Sequence, residues 1–306
     1  MDTILITGGT GMIGRALAKV LIEKNYRVII LTRDPSSHEA IAGLSYAAWD
    51  IGAQTIDKDA IATADHIIHL AGAGVADKRW SKKRKKEIVD SRLKSGELLV
   101  KALKEYPNKV RTVVSASAIG WYGPDPIIPN PRPFSEEDPA SDDFLGSACK
   151  TWEDSLAPTE KMGKRLVRLR TGIVLSREGG ALEEFRKPLK FGIATILGKG
   201  NQMISWINID DLVRFYITAI EDEKLNGVYN AVAPQPVSNK NLVLQLAKAM
   251  RGKFYIPIYV PAFVLKMVLG EMSIEVLKSA TVSCSKAHLA GFVFLYPSIE
   301  SNSSIW

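Results

Sequence analysis

The stretch that decides the fold is Ile4-Leu5-Ile6-Thr7-Gly8-Gly9-Thr10-Gly11-Met12-Ile13-Gly14. An apolar run, typical of a buried strand, ends in three glycines spaced Gly-x-x-Gly-x-x-Gly, and an amphipathic helical pattern follows at once. In such a unit the first glycine permits a tight turn, the second lets the backbone approach a pyrophosphate, and the third lets helix and strand pack closely. The phosphates lie at the positive N-terminus of the helix. We therefore predict a dinucleotide site, with contacts from Gly8, Gly11, Met12, Ile13 and Gly14, and not a turn without a ligand.

A second apolar strand, residues 27–32, indicates which dinucleotide is bound. It ends at Arg33, near the position where an NAD-binding chain usually has an acid for the ribose 2′-hydroxyl. A guanidinium there suits a 2′-phosphate instead. Asp34 comes one residue later, so a shift of the strand end by one residue would weaken this argument, and a solvated arginine is the alternative. The sequence favours NADP over NAD.

The order of the predicted elements indicates the fold class. Strand-like runs alternate with helical ones, and the strands are expected at residues 3–7, 27–32, 66–71, 111–115 and 166–170. Such alternation predicts an α/β fold, a doubly wound parallel Rossmann sheet with ligands at the carboxyl ends of the strands. A loop rich in proline and acid, residues 123–139, is a candidate lid. After Ser238 the composition changes to short helices, so we predict an NADP-binding domain at residues 1–237 and a small α-rich, substrate-side domain at residues 238–306.

Composition narrows the class of protein. The chain has 306 residues and a hydrophobic fraction of 46%, enough for a large core. It has no run of eighteen apolar residues, so we expect no membrane span, and the first strand starts too early for a signal peptide. Two distant cysteines, Cys149 and Cys284, fit a reduced cytoplasmic setting. The histidines and cysteines show no zinc-ligand spacing, so no metal site is expected.

The formal net charge of +7 is concentrated in residues 78–86. That run leads into a helical pattern, so a solvated helix start is a better interpretation than a nucleic-acid site, and we expect no nucleic-acid partner. Lysines oppose the dipole at a helix N-terminus. Attraction of a phosphorylated ligand therefore remains an alternative for this run.

Several further motifs extend along nearly the whole chain. They are Thr7-Gly8-Gly9-Thr10-Gly11-Met12-Ile13-Gly14, Leu70-Ala71-Gly72, Arg79-Trp80 with Asp90-Ser91-Arg92, Ser115-Ala116-Ser117-Ala118-Ile119-Gly120-Trp121-Tyr122-Gly123, Thr151-Trp152-Glu153, Arg170-Thr171-Gly172-Ile173-Val174-Leu175, Trp206-Ile207-Asn208-Ile209-Asp210-Asp211-Leu212, Gly227-Val228-Tyr229-Asn230, and Ala290-Gly291-Phe292 with Tyr296-Pro297. With these motifs the chain resembles the extended short-chain dehydrogenases, specifically their YfcH-type epimerase-family subgroup.

The resemblance implies an NADP-binding Rossmann core and a small C-terminal domain peculiar to the subgroup. By the family pattern, Thr32 and Arg33 would meet the adenosine phosphate, and Leu70 with Ala71 would line the nicotinamide path. Arg92 could hold a phosphate bidentately, although a surface arginine on a charged helix is its alternative. The remaining residues assigned to cofactor binding are Asp50, Gly72, Glu87 and Val174.

The sequence departs from the family pattern at the catalytic residues. Active members use a tyrosine four residues before a lysine, which lowers the pKa of the phenol for proton transfer. In this chain those positions fall on Leu145 and Cys149, and the usual Ser/Thr position falls on Ala118, next to Ser117. The usual catalytic triad is therefore absent or rebuilt.

Two hypotheses about function follow. The first is an NADP-dependent oxidoreductase or nucleotide-sugar-epimerase-like enzyme with a non-standard site, in which Tyr122 and Ser117 are catalytic and Trp121 and Trp206 shape the pocket. Core packing is the alternative for Tyr122 and both tryptophans. The second hypothesis is a catalytically inactive protein that senses NADP(H) or acts as a scaffold, which the missing Tyr-x-x-x-Lys favours. The retained glycine fingerprint and the small residues along the nicotinamide path favour the first hypothesis, and we prefer the enzyme. We expect a small-molecule substrate of unknown identity, and the sequence leaves a homodimer open.

Overall fold

The computed structural model describes residues 1–301. Its strands are β1 (Thr3–Thr7), β2 (Arg27–Thr32), β3 (Leu44–Asp50), β4 (Thr55–Ile56), β5 (His66–His69), β6 (Thr112–Ala118), β7 (Arg165–Thr171), β8 (Ile173–Ser176), β9 (Gly179–Gly180), β10 (Ile193–Leu197), β11 (Met203–Ile204), β12 (Trp206–Asn208), β13 (Gly227–Ala231), β14 (Val237–Ser238) and β15 (Ile256–Val260). Its α-helices are α1 (Met12–Glu23), α2 (Lys58–Thr63), α3 (Lys82–Glu105), α4 (Phe144–Leu156), α5 (Pro158–Lys161), α6 (Ala181–Leu189), α7 (Ile209–Glu221), α8 (Asn239–Arg251), α9 (Ala262–Leu269), α10 (Ser273–Leu277) and α11 (Ser285–Leu289). Short 3₁₀ helices cover Pro35–Ser37, Ile119–Trp121 and Gly270–Met272.

The main sheet has the strand order β13-β7-β6-β5-β1-β2-β3-β4. Its neighbouring strands are parallel apart from β3 and β4, which form an antiparallel pair. The chain passes from β1 outward to β2 and β3 on one side, and then returns to β5 on the other side. The carboxyl ends of β1 and β5 therefore flank the point where the order reverses, which is where open α/β sheets bind ligands. This arrangement confirms the predicted doubly wound fold.

Helices on both faces of this sheet account for its burial. All five residues of β1 are buried, as expected of a central parallel strand covered on both sides. On one face Leu17 and Leu21 of α1 pack with α7, and on the other face Leu98 and Leu99 of α3 pack beneath the sheet. In the part of the chain that the structure describes, no helix combines the length and the hydrophobicity needed to cross a bilayer.

A smaller lobe has its own core. Strand β10 pairs in parallel with β15, and helices α6 and α8 pack on them through residues such as Leu182 and Leu246. Helix α8 begins after its N-cap Ser238, whose Oγ accepts from the backbone N–H of Asn241. Segments before and after residue 238 interleave in this lobe, and Phe292 returns to pack in the main core. The domain division at residue 238 stays a prediction.

The loop of residues 123–139 is fastened to the C-terminal segment. Its Asp125 carboxylate accepts hydrogen bonds from Asn130 Nδ2, from Ser279 Oγ, and from both Oγ1 and the backbone N–H of Thr281, at 2.7–2.9 Å. The backbone of Phe134 also bonds to residues 281 and 283. A buried carboxylate with four donors holds its loop rigidly, because each broken bond would leave a desolvated charge. The loop is thus fastened to residues 279–283 in this structure, and its action as a lid stays a prediction.

Candidate active site

The glycine turn at the end of β1 is built as the sequence predicts. Gly8 has φ +67°, in the left-handed region, and a Cβ there would lie 2.9 Å from the backbone carbon of Leu70. A Cβ on Gly14 would overlap the backbone of the turn, 2.6 Å from the Gly8 oxygen. A Cβ on Gly11 would meet only that oxygen, at 3.3 Å, so the space above Gly11 is open. Glycine is therefore required at these three positions for different reasons. Of the three, only Gly11 lies beside open space that a ligand could occupy.

Helix α1 offers its N-terminus to that space. Its N-cap is Gly11, which has no side chain to bond the first N–H groups of the helix. These groups, on Met12, Ile13 and Gly14, are the donors that a helix leaves without an intrahelical partner. Together with the positive end of the helix dipole they suit an anion.

A buried histidine fixes the loop that follows β5. Thr7 Oγ1 donates to His69 Nδ1 at 2.8 Å and accepts from the backbone N–H groups of Leu70 and Ala71. Ser95 Oγ donates to the Arg92 carbonyl, so it accepts from His69 Nε2. These contacts assign His69 the neutral Nε2–H form, and burial lowers its pKa to about 3. His69 therefore positions the loop at residues 70–73, a role that zinc-ligand spacing, the pattern considered for the histidines, could not indicate.

Arg33 and Asp34, which follow β2, have different hydrogen-bonding surroundings. The strand ends at Thr32, which is half-buried, and Arg33 is exposed with no hydrogen bond or ion pair in the described residues. Asp34 instead caps the 3₁₀ helix that follows, its carboxylate accepting from the backbone and hydroxyl of Ser36. These hydrogen bonds lower the pKa of Asp34. The acid that could have competed for a ribose hydroxyl is thus held by its own turn, and the guanidinium is free.

Asp50 lies at the carboxyl end of β3, next to β2 in the sheet. One of its oxygens, Oδ1, accepts from the backbone N–H groups of Gly52 at 2.7 Å and of Ala53 at 3.0 Å. The carboxylate therefore shapes the turn after β3 at the same edge of the sheet as Arg33.

Arg92 faces inward from α3. Its Nη1 donates to the carbonyls of Ala73 and Ile88 at 3.0 Å, and its guanidinium lies 4.7 Å from the centroid of the Trp152 ring. A Cβ on Gly72 would lie 3.1 Å from the Arg92 Cζ, so a side chain at residue 72 would crowd this guanidinium. Burial lowers the Arg92 pKa from its ordinary value. The side chain therefore supports the loop after β5 and does not lie on a solvated helix face.

Met12 and Val174 approach each other, whereas Glu87 lies apart from them. A Cβ on Gly180 would be 3.3 Å from the Met12 methyl and 3.7 Å from the Val174 carbonyl, which places β8 beside the first turn of α1. Glu87 is exposed and pairs with Arg84 at 2.8 Å. That ion pair lowers the Glu87 pKa. Arg84 also donates to the Gly74 carbonyl at 2.5 Å, so Glu87 reaches the loop after β5 through Arg84.

The residues at the usual proton-transfer positions, Leu145 and Cys149, pack against the end of β6. A Cβ on Gly120 would lie 3.2 Å from Leu145 Cβ and 3.5 Å from Cys149 Sγ, so α4 rests against the end of β6. Cys149 Sγ lies 3.6 Å from the Ala118 carbonyl, and burial raises its pKa to about 12. Leu145 has no proton to exchange, and the Cys149 thiol does not ionise near neutral pH. The positions of the usual Tyr-x-x-x-Lys pair therefore hold no residue that could transfer a proton in its place.

Tyr122 and Ser117 belong to a buried polar network. The Tyr122 hydroxyl donates to Asn230 Oδ1 at 2.7 Å and accepts from Arg170 Nη1 at 3.1 Å, while Ser117 Oγ donates to Glu153 at 2.6 Å. Arg170 and Glu153 form a buried bidentate ion pair. Tyr122 is fully buried, its ring stacks on Phe134, and burial raises its pKa to about 12.

Their burial disfavours a catalytic role for Tyr122 and Ser117, and the two catalytic assignments stay a prediction. A proton donor has to reach its substrate, and neither the Tyr122 phenol nor the Ser117 hydroxyl lies at a surface that a substrate can contact. The two side chains hold β6, α4, β7 and β13 together. Trp206 is also a core residue, fully buried with its Nε1 donating to the Gln235 carbonyl. Trp121 is half-buried and lies 3.6 Å beneath the Arg170 guanidinium.

An aromatic pair faces the smaller lobe beside α4. Trp80 and Phe144 meet edge to face at 5.0 Å, and Lys85 Nζ lies 4.9 Å from the Phe144 ring. Lys85 also pairs with Glu271 of the smaller lobe, so part of the basic run at residues 78–86 joins the two lobes. In residues 1–301 no cluster of histidine, cysteine and acidic side chains could hold a metal ion.

Comparisons with known proteins show which sequences this chain is similar to. The family model described as the NAD dependent epimerase/dehydratase family matches residues 4–152, and a domain of unknown function, DUF1731, matches residues 260–301. An epimerase family protein of Staphylococcus saprophyticus is 36% identical over 98% of this chain and 97% of its own length. One of Mycobacterium leprae is 33% identical over 89% of this chain and 84% of its own length.

Among solved structures, human epimerase family protein SDR39U1 (isoform 2), crystallised with NADPH, superimposes with a TM-score of 0.85. The two proteins are 27% identical, and the match covers 99% of this chain and 98% of that one. The segments matched by the two family models include the glycine turn, the loop after β5 and the C-terminal segment that fastens residues 123–139. This chain therefore belongs to the NAD-dependent epimerase/dehydratase family, in the group of epimerase family proteins that carry the C-terminal DUF1731 domain.

Proposed function

We propose that this chain binds NADP(H) at the switch point between β1 and β5. The open space above Gly11 and the donor groups at the start of α1 fit a pyrophosphate. The loop at residues 70–73, fixed by His69 and Arg92, fits the nicotinamide end, because small residues there permit close approach. The human relative with 27% identity was solved with NADPH, which supports the same ligand.

Arg33 supports NADP(H) over NAD(H). Its guanidinium lies at the carboxyl end of β2, exposed and without a partner in the described residues, while Asp34 is held by Ser36. The planar guanidinium, with its several N–H donors, suits a 2′-phosphate, whereas a 2′-hydroxyl is usually bound by a hydrogen-bond acceptor at this position. Asp50, at the neighbouring strand end, keeps one carboxylate oxygen outside its turn for the adenosine half of the ligand.

Within this site the chain acts as a sensor or scaffold that binds NADP(H) without turnover. The observation that carries this proposal is the packing of Leu145 and Cys149 against Gly120 and Ala118, where proton exchange would have to occur. A nicotinamide cofactor supplies hydride transfer when bound, and a carbonyl reduction then also needs a proton. Neither Leu145 nor the protonated Cys149 thiol can provide that proton at neutral pH.

An NADP-dependent oxidoreductase or epimerase-like enzyme is the second candidate. It is favoured by the small residues Ala71, Gly72 and Ala118, which leave a path for a nicotinamide that a pure scaffold would not need. In that case the proton would come from the substrate or from a residue outside the family pattern, since Tyr122 is buried.

The two candidates are separated by one experiment. NADPH and NADH are titrated by fluorescence, and NADPH absorbance is then followed with a panel of carbonyl compounds, while nucleotide sugars are analysed for epimerised products. We expect NADPH binding with no turnover. Turnover that is lost in Gly11→Val would identify an enzyme and contradict the sensor or scaffold proposal. Absence of NADPH binding in the folded protein would contradict both.

A further inference from the structure

The chain just beyond the loop at residues 70–73 is tied to the residues around the start of α3. The Gly74 carbonyl accepts from Arg84 Nη2 at 2.5 Å. The Val75 carbonyl accepts from Trp80 Nε1 at 2.9 Å. Arg84 is buried, so loss of its bond would leave a desolvated charge without this acceptor, which is costly. A displacement of the loop would therefore carry Trp80 and Arg84 with it.

Two cations of the same stretch reach across to the smaller lobe. Lys85 forms an ion pair with Glu271. Arg79 Nη2 donates to the Met267 carbonyl in the last turn of α9, at 3.4 Å. A Cβ on Gly270 would lie 3.0 Å from the same nitrogen, so the guanidinium rests against the residue that ends this helix. A cation at a helix C-terminus also interacts favourably with the helix dipole.

The stretch that these cations contact, residues 262–271 (the α9 segment), is loosely held. Among these described residues only Leu265 is buried. Phe263, Met267 and Val268 are 60–71% exposed. Helix α9 packs mainly on the 3₁₀ helix and on α10, which follow it directly in the chain. An element with so few buried apolar contacts belongs to the least stable part of a fold. The two cationic contacts therefore contribute a large share of what keeps it docked.

A nicotinamide and the α9 segment need the same arrangement of one loop. The two cations directly adjoin Trp80 and Arg84 in the chain, so they shift whenever the loop at residues 70–73 shifts. Whichever contact forms first orders the loop, and the second then forms at a smaller loss of entropy. We propose that the α9 segment docks more firmly when NADP(H) is bound and so reports occupancy, a role that rests on the NADP(H) binding proposed above. This assigns a task to part of the DUF1731 match, residues 260–301.

Hydrogen–deuterium exchange, followed by mass spectrometry with and without saturating NADPH, tests the coupling. We expect NADPH to slow exchange in the α9 segment by about fivefold or more, the lower end of usual coupling between two sites. Exchange in the glycine turn, residues 8–14, should slow as well, because it reports binding itself. Helix α8 packs in the core of the smaller lobe and should not change, which separates the coupling from a general stabilisation.

Variants on both sides of the contact make the test specific. Arg79→Gln combined with Lys85→Gln should leave the α9 segment exchanging quickly with or without NADPH, while the glycine turn still responds. By reciprocity, the NADPH affinity of this double variant should fall by about the factor by which NADPH slows exchange in the unmodified protein. Glu271→Gln should reduce the coupling from the side of the smaller lobe. Its matched control is Glu184→Gln, whose partner Lys187 lies on the same helix, and it should leave both readouts unchanged.

The outcomes separate the coupling from the binding site. Protection of the glycine turn by NADPH without any change in the α9 segment would overturn the coupling and leave the NADP(H) site standing. Faster exchange of the α9 segment with NADPH, or equal slowing in α8, would also overturn it. So would unchanged coupling in the double variant and in Glu271→Gln, or lost coupling in Glu184→Gln. A glycine turn that NADPH leaves unprotected would contradict the NADP(H) site and the coupling together.

Discussion

Two glycines of the same turn should respond to substitution in opposite ways. Gly11 has an extended backbone, with φ −76° and ψ 173°, that suits a branched residue, and the space around its Cα is open. Gly14 is pressed against the turn, so that even a methyl group would overlap Gly9 Cα and lie 2.6 Å from the Gly8 oxygen. We therefore expect Gly11→Val to abolish NADPH binding in a folded protein, and Gly14→Ala to destabilise the fold.

The magnitudes follow from these contacts. For Gly14→Ala, overpacking against rigid backbone costs about 3 kcal/mol, the upper end of its usual range, and the better helix propensity of alanine recovers at most about 1 kcal/mol. The net loss of about 2 kcal/mol should lower the melting temperature of a chain of this length by roughly 3 °C. For Gly11→Val the stability should change by at most about 1 kcal/mol, the scale of an N-cap effect. Its loss of NADPH affinity should be about 100-fold or more, because the isopropyl group fills the pyrophosphate space.

The assay pairs thermal unfolding, followed by circular dichroism, with titration of NADPH by fluorescence. The expected pattern is a nearly unchanged melting temperature without binding in Gly11→Val, and a lowered melting temperature in Gly14→Ala. Normal NADPH binding by a folded Gly11→Val protein would refute the assignment of the phosphate turn. A fully stable Gly14→Ala protein would refute the steric argument.

Three further outcomes are expected. Arg33→Ala should reduce the preference for NADPH over NADH by about 1–3 kcal/mol, since the 2′-phosphate loses charge-assisted hydrogen bonds; equal affinities for both nucleotides in the unmodified protein would contradict this. Tyr122→Phe should lower the free energy of unfolding by about 1–3 kcal/mol, because Asn230 and Arg170 lose a buried partner, and NADPH affinity, measured alongside, should not change. Because burial lowers the His69 pKa to about 3, the unfolded chain binds a proton near the ordinary value of 6.5 that the folded chain does not. This difference leaves the stability unchanged above that pH and lowers the free energy of unfolding as the pH drops toward 3, by at most about 1.4 kcal/mol per pH unit. Denaturant titrations at pH about 7 and 5.5 should show a larger loss for the unmodified protein than for His69→Gln, and equal losses would rule the effect out.

Local patterns predicted the dinucleotide half of the molecule well. The glycine spacing, the strand ending at Thr32 and the small residues after β5 are each set by a few neighbouring positions, and periodicity reports such features directly. The position of Arg33 with respect to Asp34 also follows from local chemistry, because Asp34 bonds to Ser36 only two residues later.

Roles that depend on long-range packing could not be predicted in this way. The sequence places Tyr122 in a plausible segment, but its burial is decided by Asn230 and Arg170, which lie far along the chain. The loop at residues 123–139 has the composition of a mobile segment, and its attachment to residues 279–283 through Asp125 and Phe134 depends on contacts far along the chain. The residues of a turn depend on local conformation, whereas the burial of a side chain depends on packing across the whole fold.

The return of the last residues to the first core has a consequence for how the chain is made. Asp211 of α7 is fully buried, and its carboxylate accepts from the backbone N–H groups of Leu295 and Tyr296, while the Phe292 ring stacks on Phe215 at 4.4 Å. During synthesis from the amino end, α7 leaves the ribosome long before these partners exist. Until they arrive, the Asp211 carboxylate has Arg214 of its own helix as a partner but lacks these two backbone donors, and the Phe215 ring lacks its stacking partner. Residues 292–296 thus complete a core begun by the first half of the chain, so that core is finished only after they have been synthesised.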